Sequence, residues 1–160
     1  PVGVLPELHR STFELIEADS PLPFLGFERQ ANAVAAATAA VAQRLASERR
    51  SAVLEGVHLL PGAISKAIAK HPARPIVVER LIVERDEAGH RAKLLRRAEA
   101  QPLRAGERHL SELQAIRSIQ NYLVRCANLN DIAAINTDDA GLATHDVVDE
   151  IVQRIGDAAP

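Results

Sequence analysis

Apolar positions along the chain fall into two kinds of block. In the first kind they recur every three or four residues. Val34, Val41 and Leu45, with alanines between them, predict a long helix from about Phe27 to Arg49, because alanine is the strongest helix former. Leu110, Leu113, Ile116, Ile119, Leu123 and Cys126 form an apolar stripe on a helix from about Glu107 to Ala127, a pattern that buries one face. Val147, Val148, Ile151, Val152 and Ile155 mark a last amphipathic helix, and shorter ones are expected over His9–Ala18, Ala63–Lys70 and Glu87–Glu99. In the second kind, short runs rich in valine and isoleucine are bounded by turn residues, the pattern of a buried strand. Three runs qualify: Ala52 to Val57, IVVERLIVE at 76–84, and DIAAIN at 131–136. The prolines of DSPLPFLG and AQPLRAG make loops of both stretches, since proline disfavours helix at its own position and the one before.

Strands that alternate with helices predict a layered α/β domain with a mostly parallel sheet. No internal repeat and no linker divides it, so a single domain over 1–160 is expected, with 86–109 as a lid-like segment. In open parallel sheets, ligands bind beyond the carboxyl ends of the strands. The first run turns polar there, with Glu55, Gly56 and His58, and the third ends in Asn136, Thr137, Asp138 and Asp139. A carboxylate at such a place can hold Mg²⁺ through water or accept a hydroxyl proton, or it can simply pair with an arginine. The lid-like segment carries His90, Arg91, Lys93, Arg96 and Arg97 with little apolar company, and Arg104 and Arg108 continue it. Arginine forks match phosphate oxygens, although a charge run of this kind also suits a solvated face. LHRST at 8–12 and FERQA at 27–31 are two further polar clusters, the second at a helix start where free N–H groups attract anions.

Composition narrows the possibilities. Of the 160 residues 25% are charged, and the formal net charge of -2 gives no general attraction to nucleic acid. The single Cys126 excludes an internal disulfide framework. No apolar run approaches the roughly 20 residues of a membrane helix, so a cytoplasmic protein without nucleic-acid or membrane partners is expected. The chain opens at Pro1 and contains no methionine, which predicts a processed chain or a piece of a longer protein; a strand edge exposed by truncation would invite self-association. Zinc spacing, a nucleophile elbow and a dinucleotide fingerprint are all missing from the sequence.

Taken in order, LHRST, GFERQA, LEGVHLLPG, HRAKLLRRA and AIRSIQNYL resemble the 2-phosphoglycerate kinase family of P-loop kinases. The resemblance implies a three-layer P-loop NTPase-like domain with a helical lid. It implies transfer of phosphate from ATP to 2-phosphoglycerate, giving 2,3-bisphosphoglycerate and ADP, with Mg²⁺. By the same resemblance Glu55 is the carboxylate ending the Walker B strand, acting on Mg²⁺ through water or on the acceptor hydroxyl. His58 lines that crevice, and His9, Arg10, Glu28 and Arg29 stand on the acceptor side. Arg91 and Arg97 close over the phosphates, with Arg104 and Arg108 behind them, and Asn136 lies where such folds contact the base. Lys93 stands where the family pattern has arginine, and His109 where it has an aromatic. The larger departure is that no G-x-x-x-x-G-K-[ST] stretch occurs, the loop that wraps ATP phosphates with backbone N–H groups and a lysine. The N-terminal strand and phosphate loop are thus expected to be absent, and the chain as given to be inactive. A non-catalytic phosphate- or nucleotide-binding regulatory module is the alternative.

Overall fold

The computed structural model describes residues 10–17, 19–100, 106–137 and 140–158, with only the backbone described at 106–108, 140–143 and 158. A 3-10 turn, Thr12–Leu15, precedes helix α1, Leu25–Ser47. Then come α2 (Ala63–Ile68), β1 (Leu81–Val83), α3 (Glu87–Ala100), α4 (Gly106–Ser111), α5 (Leu113–Asn128), β2 (Ala134–Asn136) and α6 (Ala140–Ala158). The two strands pair in parallel, Leu81 opposite Ala134 and Val83 opposite Asn136. Helices α3 to α5 form the crossover that a parallel pair requires. This mixed architecture with parallel pairing is consistent with an α/β P-loop-like fold.

The long helix starts and stops within two residues of its expected bounds, with Glu28 in its first turn and Arg44 in its last to suit the dipole. It buries Phe27 together with Ala31, Ala42 and Ala46, and the three alanines are small enough to let neighbours approach. The expected helix over 107–127 is divided instead. Glu112 leaves helical geometry at φ -99° and ψ 14°, ending α4 and starting α5. Helix α5 buries Leu113, Ile119 and Leu123 of the predicted stripe together with Ala127, while Leu110 of α4 and Ile116 and Cys126 of α5 are half-buried. Its Ile119 and Leu123 meet Phe13, Phe27 and Ala31 in the main core, which Leu60, Leu81 and Tyr122 flank. One core therefore joins the N-terminal turn, α1 and α5, and β1 rests against it.

The first expected strand does not form. Residues 51–56 have no regular structure, and Val53 is 94% exposed. A strand exists through its ladder, because its N–H and C=O groups need partners. No described residue supplies one here. The other two runs form strands only where they pair, over three residues each. Helix α6 is held through its polar residues: Arg80 and Arg154 both pair with Glu150, and Arg154 Nη1 donates to Val77 O at 2.8 Å. Of its expected apolar face, Val147 is half-buried and Val148, Ile151, Val152 and Ile155 are exposed. No described helix is long and apolar enough to cross a membrane.

Candidate functional site

Two polar centres are built on this frame. The first gathers one residue from each of three distant stretches. Thr12 comes from LHRST, Gln30 from GFERQA on α1, and His58 from LEGVHLLPG. Gln30 is 2% exposed. Its Nε2 donates to Arg10 O at 3.1 Å, and its Oε1 lies 2.6 Å from His58 Nε2. Thr12 Oγ1 lies 3.1 Å from the same nitrogen. The fully buried Phe27 ring stacks on the imidazole with centroids 6.2 Å apart. Burial lowers the His58 pKa, so the ring is held neutral.

The loop that presents His58 is anchored just beyond it. Gly62 has φ 84°, the left-handed region that glycine adopts without cost. A Cβ there would come 2.6 Å from Asn130 Oδ1. The Glu79 carboxylate accepts from Gly62 N at 2.7 Å and from Ser65 N at 2.9 Å, closing the free amides at the start of α2. Near the same core, Tyr122 Oη donates to Glu28 Oε1 at 2.7 Å, and Arg125 lies 5.9 Å over the Phe24 ring. Burial, then the Glu28 contact, raises the Tyr122 pKa, so this phenol keeps its proton.

The second centre lies at the carboxyl ends of β1 and β2. Glu84, 4% exposed, pairs with Lys93 of α3 and accepts from Thr137 Oγ1. Lys93 Nζ also lies 2.7 Å from Thr137 Oγ1. The Glu84 backbone is clamped from α5, where Gln120 Oε1 accepts its N–H and Gln120 Nε2 donates to its carbonyl, both at 2.9 Å. Arg117 donates to Glu84 O and Arg85 O and faces Glu87 at 3.4 Å. The hydrogen bond from Lys93, then that from Thr137, holds the Glu84 carboxyl below its ordinary value against the opposing effect of burial. His90 sits in the same surroundings with its Nδ1 buried and without a hydrogen bond. Burial first, then the charge of Arg117, lowers its pKa.

The expected residues are distributed unevenly over these centres. His58 lies in the first. Arg10 contributes its backbone carbonyl there, while its side chain is exposed and bonds Glu14 O at 3.0 Å. Glu28 is engaged by Tyr122 rather than open, and Arg29 is exposed. Glu55 is exposed and has no partner among the described residues. Asn136 reaches the second centre, where its Oδ1 accepts from Arg85 N at 3.3 Å. Arg91 and Arg97 are exposed on α3, free of ion pairs among the described residues. His9, Arg104, Asp138 and Asp139 lie outside the described residues, as does the side chain of Arg108. Sequence reasoning did not single out Thr12, Gln30 or Glu84, while Thr137 was named only as part of the third run's polar end. For Glu84 the signal was available: it ends an apolar run as Glu55 does.

The parallel strand pair, with Glu84, Asn136 and Thr137 at its carboxyl ends and α3 tied to them through Lys93, is consistent with an α/β P-loop-like fold. No protein-family model matches the chain, and no solved structure matches it. Three relatives, each named 2-phosphoglycerate kinase, are similar to it. That of Pyrococcus furiosus is 30% identical over 156 residues, covering 94% of this chain and 49% of the relative. Those of Pyrococcus horikoshii (27% identical, 94% and 50%) and Methanopyrus kandleri (32% identical, 86% and 40%) agree. Such likeness over most of the chain supports a resemblance to 2-phosphoglycerate kinases. The chain spans about half the length of the curated relatives it matches.

Proposed function

We propose that this chain forms the acceptor-binding and lid part of a phosphotransferase that moves phosphate from ATP to 2-phosphoglycerate. The observation that carries the reading is the convergence of Thr12, Gln30 and His58, one from each of three motifs far apart in sequence, into one hydrogen-bonded corner. In this reading Arg10 and Arg29 take the phosphate and carboxylate of the acceptor, together with His9 and with Glu28 as a support. Arg91 and Arg97, free of ion pairs among the described residues, close over the transferred phosphate, followed by Arg104 and Arg108, because guanidinium forks neutralise its developing charge. Asn136 faces the nucleotide. Mg²⁺ fits only as a metal that arrives with phosphates: among the described residues no group of three His, Cys, Asp or Glu could hold one. Mg²⁺ commonly keeps several waters and takes one or two carboxylates plus substrate phosphates, so Glu55 would act through water. Its partners in this reading are a small phosphorylated acid and a nucleotide, met in the cytoplasm.

These 160 residues contain no G-x-x-x-x-G-K-[ST] stretch. The chain by itself is therefore expected to bind the acceptor without turning over ATP. That lack also favours a second reading, a regulatory module that binds phosphorylated ligands without chemistry. Calorimetric titration with 2-phosphoglycerate, ATP and inorganic phosphate separates them. Binding of 2-phosphoglycerate in preference to phosphate, weakened by Arg29→Ala, supports the acceptor site. Binding of ATP alone favours the regulatory module, and no binding at all removes both.

A further inference from the structure

We propose that Gln30 is a positioning residue that fixes the tautomer of His58, leaving Nδ1 as the atom that accepts a hydrogen bond from a hydroxyl of the acceptor. The inference rests on the reading of this corner as the acceptor site. The argument begins with the amide, whose two ends are not interchangeable here. Gln30 Nε2 is 3.1 Å from Arg10 O, a carbonyl that can only accept. The nitrogen is thereby identified, and the other end, 2.6 Å from His58 Nε2, is an oxygen that can only accept. His58 Nε2 must carry the hydrogen. In a neutral imidazole the lone pair then resides on Nδ1.

Other contacts keep the ring in place. Phe27 stacks on it at an interplanar angle of 29°, and Thr12 Oγ1, at 3.1 Å, approaches the protonated nitrogen and acts as its second acceptor. Among the described residues Nδ1 carries no hydrogen bond. Desolvation favours the neutral ring, which is the form that has an acceptor to offer. Gln30, buried and bonded at both ends, has no freedom to turn over. An ionised carboxylate at position 30 would also accept from Nε2, but it would favour the doubly protonated ring and so remove the acceptor.

The test is long-range nitrogen–hydrogen NMR of the histidine rings in the whole chain, with His58 assigned by loss of its signals in His58→Ala. The wild type is expected to show the Nε2–H form. Gln30→Leu should lose that preference, with an unchanged backbone spectrum serving as the fold control. Gln30→Glu should keep a hydrogen on Nε2 and raise the His58 pKa. Addition of 2-phosphoglycerate should move the Nδ1 signal more than that of Nε2 in the wild type. An Nδ1–H tautomer in the wild type overturns the proposal, as does an unchanged tautomer in folded Gln30→Leu. If Gln30→Leu does not fold, Gln30→Glu decides, since an unshifted His58 pKa there also overturns it. If 2-phosphoglycerate binds without moving Nδ1, the role of Nδ1 falls while the acceptor site stands. If it does not bind, the acceptor reading falls with the role of Nδ1, and the tautomer data still judge Gln30.

Discussion

Glu55 and Glu84 each end an apolar run, and the structure treats them in opposite ways. Glu84 is 4% exposed, accepts from a lysine and a threonine, and has its backbone held by α5. Glu55 is exposed and has no partner among the described residues. The runs before them, SAVL and LIV, are equally apolar. What differs is the ladder. Leu81–Val83 pairs with Ala134–Asn136, and that pairing brings Asn136 and Thr137 beside Glu84. Residues 51–56 pair with nothing described, so no second strand end stands beside Glu55. A carboxylate at a strand end acquires an environment from the neighbouring strand rather than from its own.

The largest effect is expected where that environment is removed on the Glu84 side. Lys93→Met leaves a buried carboxylate without its main donor. Breaking a buried pair costs about 3 kcal/mol or more, and Lys93 is 34% exposed, so the loss should fall near the lower figure, about 3 kcal/mol at neutral pH by urea unfolding. Glu84→Gln combined with Lys93→Met should recover much of it, because no uncompensated charge remains. Equal instability of the single and double variants would show that Lys93 acts through packing and not through charge.

A smaller effect should appear against pH. The folded-state pKa of Glu84 is lowered, so the contribution of this carboxylate is present above its unfolded value, about 4.3. It is lost as pH falls through the lower folded value. Glu84→Gln should flatten the stability profile in that acid range, whereas Lys93→Met should only make it shallower, because the Thr137 hydrogen bond still lowers the carboxyl by more than burial raises it. His58 and His90 act at higher pH. Burial lowers both, so protonation is easier in the unfolded chain, and stability should decline as pH drops below about 6.5. His90→Leu should reduce that decline, since its unbonded Nδ1 is where an added proton would meet Arg117 and Lys93.

How far the sequence foretold these centres follows from the same contrast. Helical periodicity is a local property, so the Phe27–Arg49 expectation fits α1 closely and the stripe on α5 is buried or half-buried. Strand formation depends on a partner remote in sequence, and a run of valines carries no information about whether one is present. The motifs LHRST, GFERQA and LEGVHLLPG each supply one residue to the corner around His58. Within them the charged residues drew attention, while the meeting point is made by Thr12 and Gln30. Neutral donors and acceptors have no composition signal, and only the fold, which stacks His58 on Phe27, brings them within reach. Lys93 stands where the family pattern has arginine; its pairing with Glu84 ties α3 to the strand ends.

The smallest effect on stability belongs to Glu55, and it probes the other half of the contrast. Glu55→Gln removes a charge that touches nothing described, so unfolding free energy should stay within about 0.5 kcal/mol of the wild type. Glu55→Asp should be equally silent. If Glu55 serves a metal through water, its charge matters only when Mg²⁺ and phosphates are present, because a magnesium site of this type is completed by the ligand. Nucleotide binding with Mg²⁺ should then weaken in Glu55→Gln, while binding measured without metal stays unchanged. A fall in stability instead, with metal dependence unaltered, would mean that Glu55 is a structural partner like Glu84. The metal-dependent difference between Glu55→Gln and the wild type therefore measures whether this exposed carboxylate contributes anything beyond its own segment of the fold.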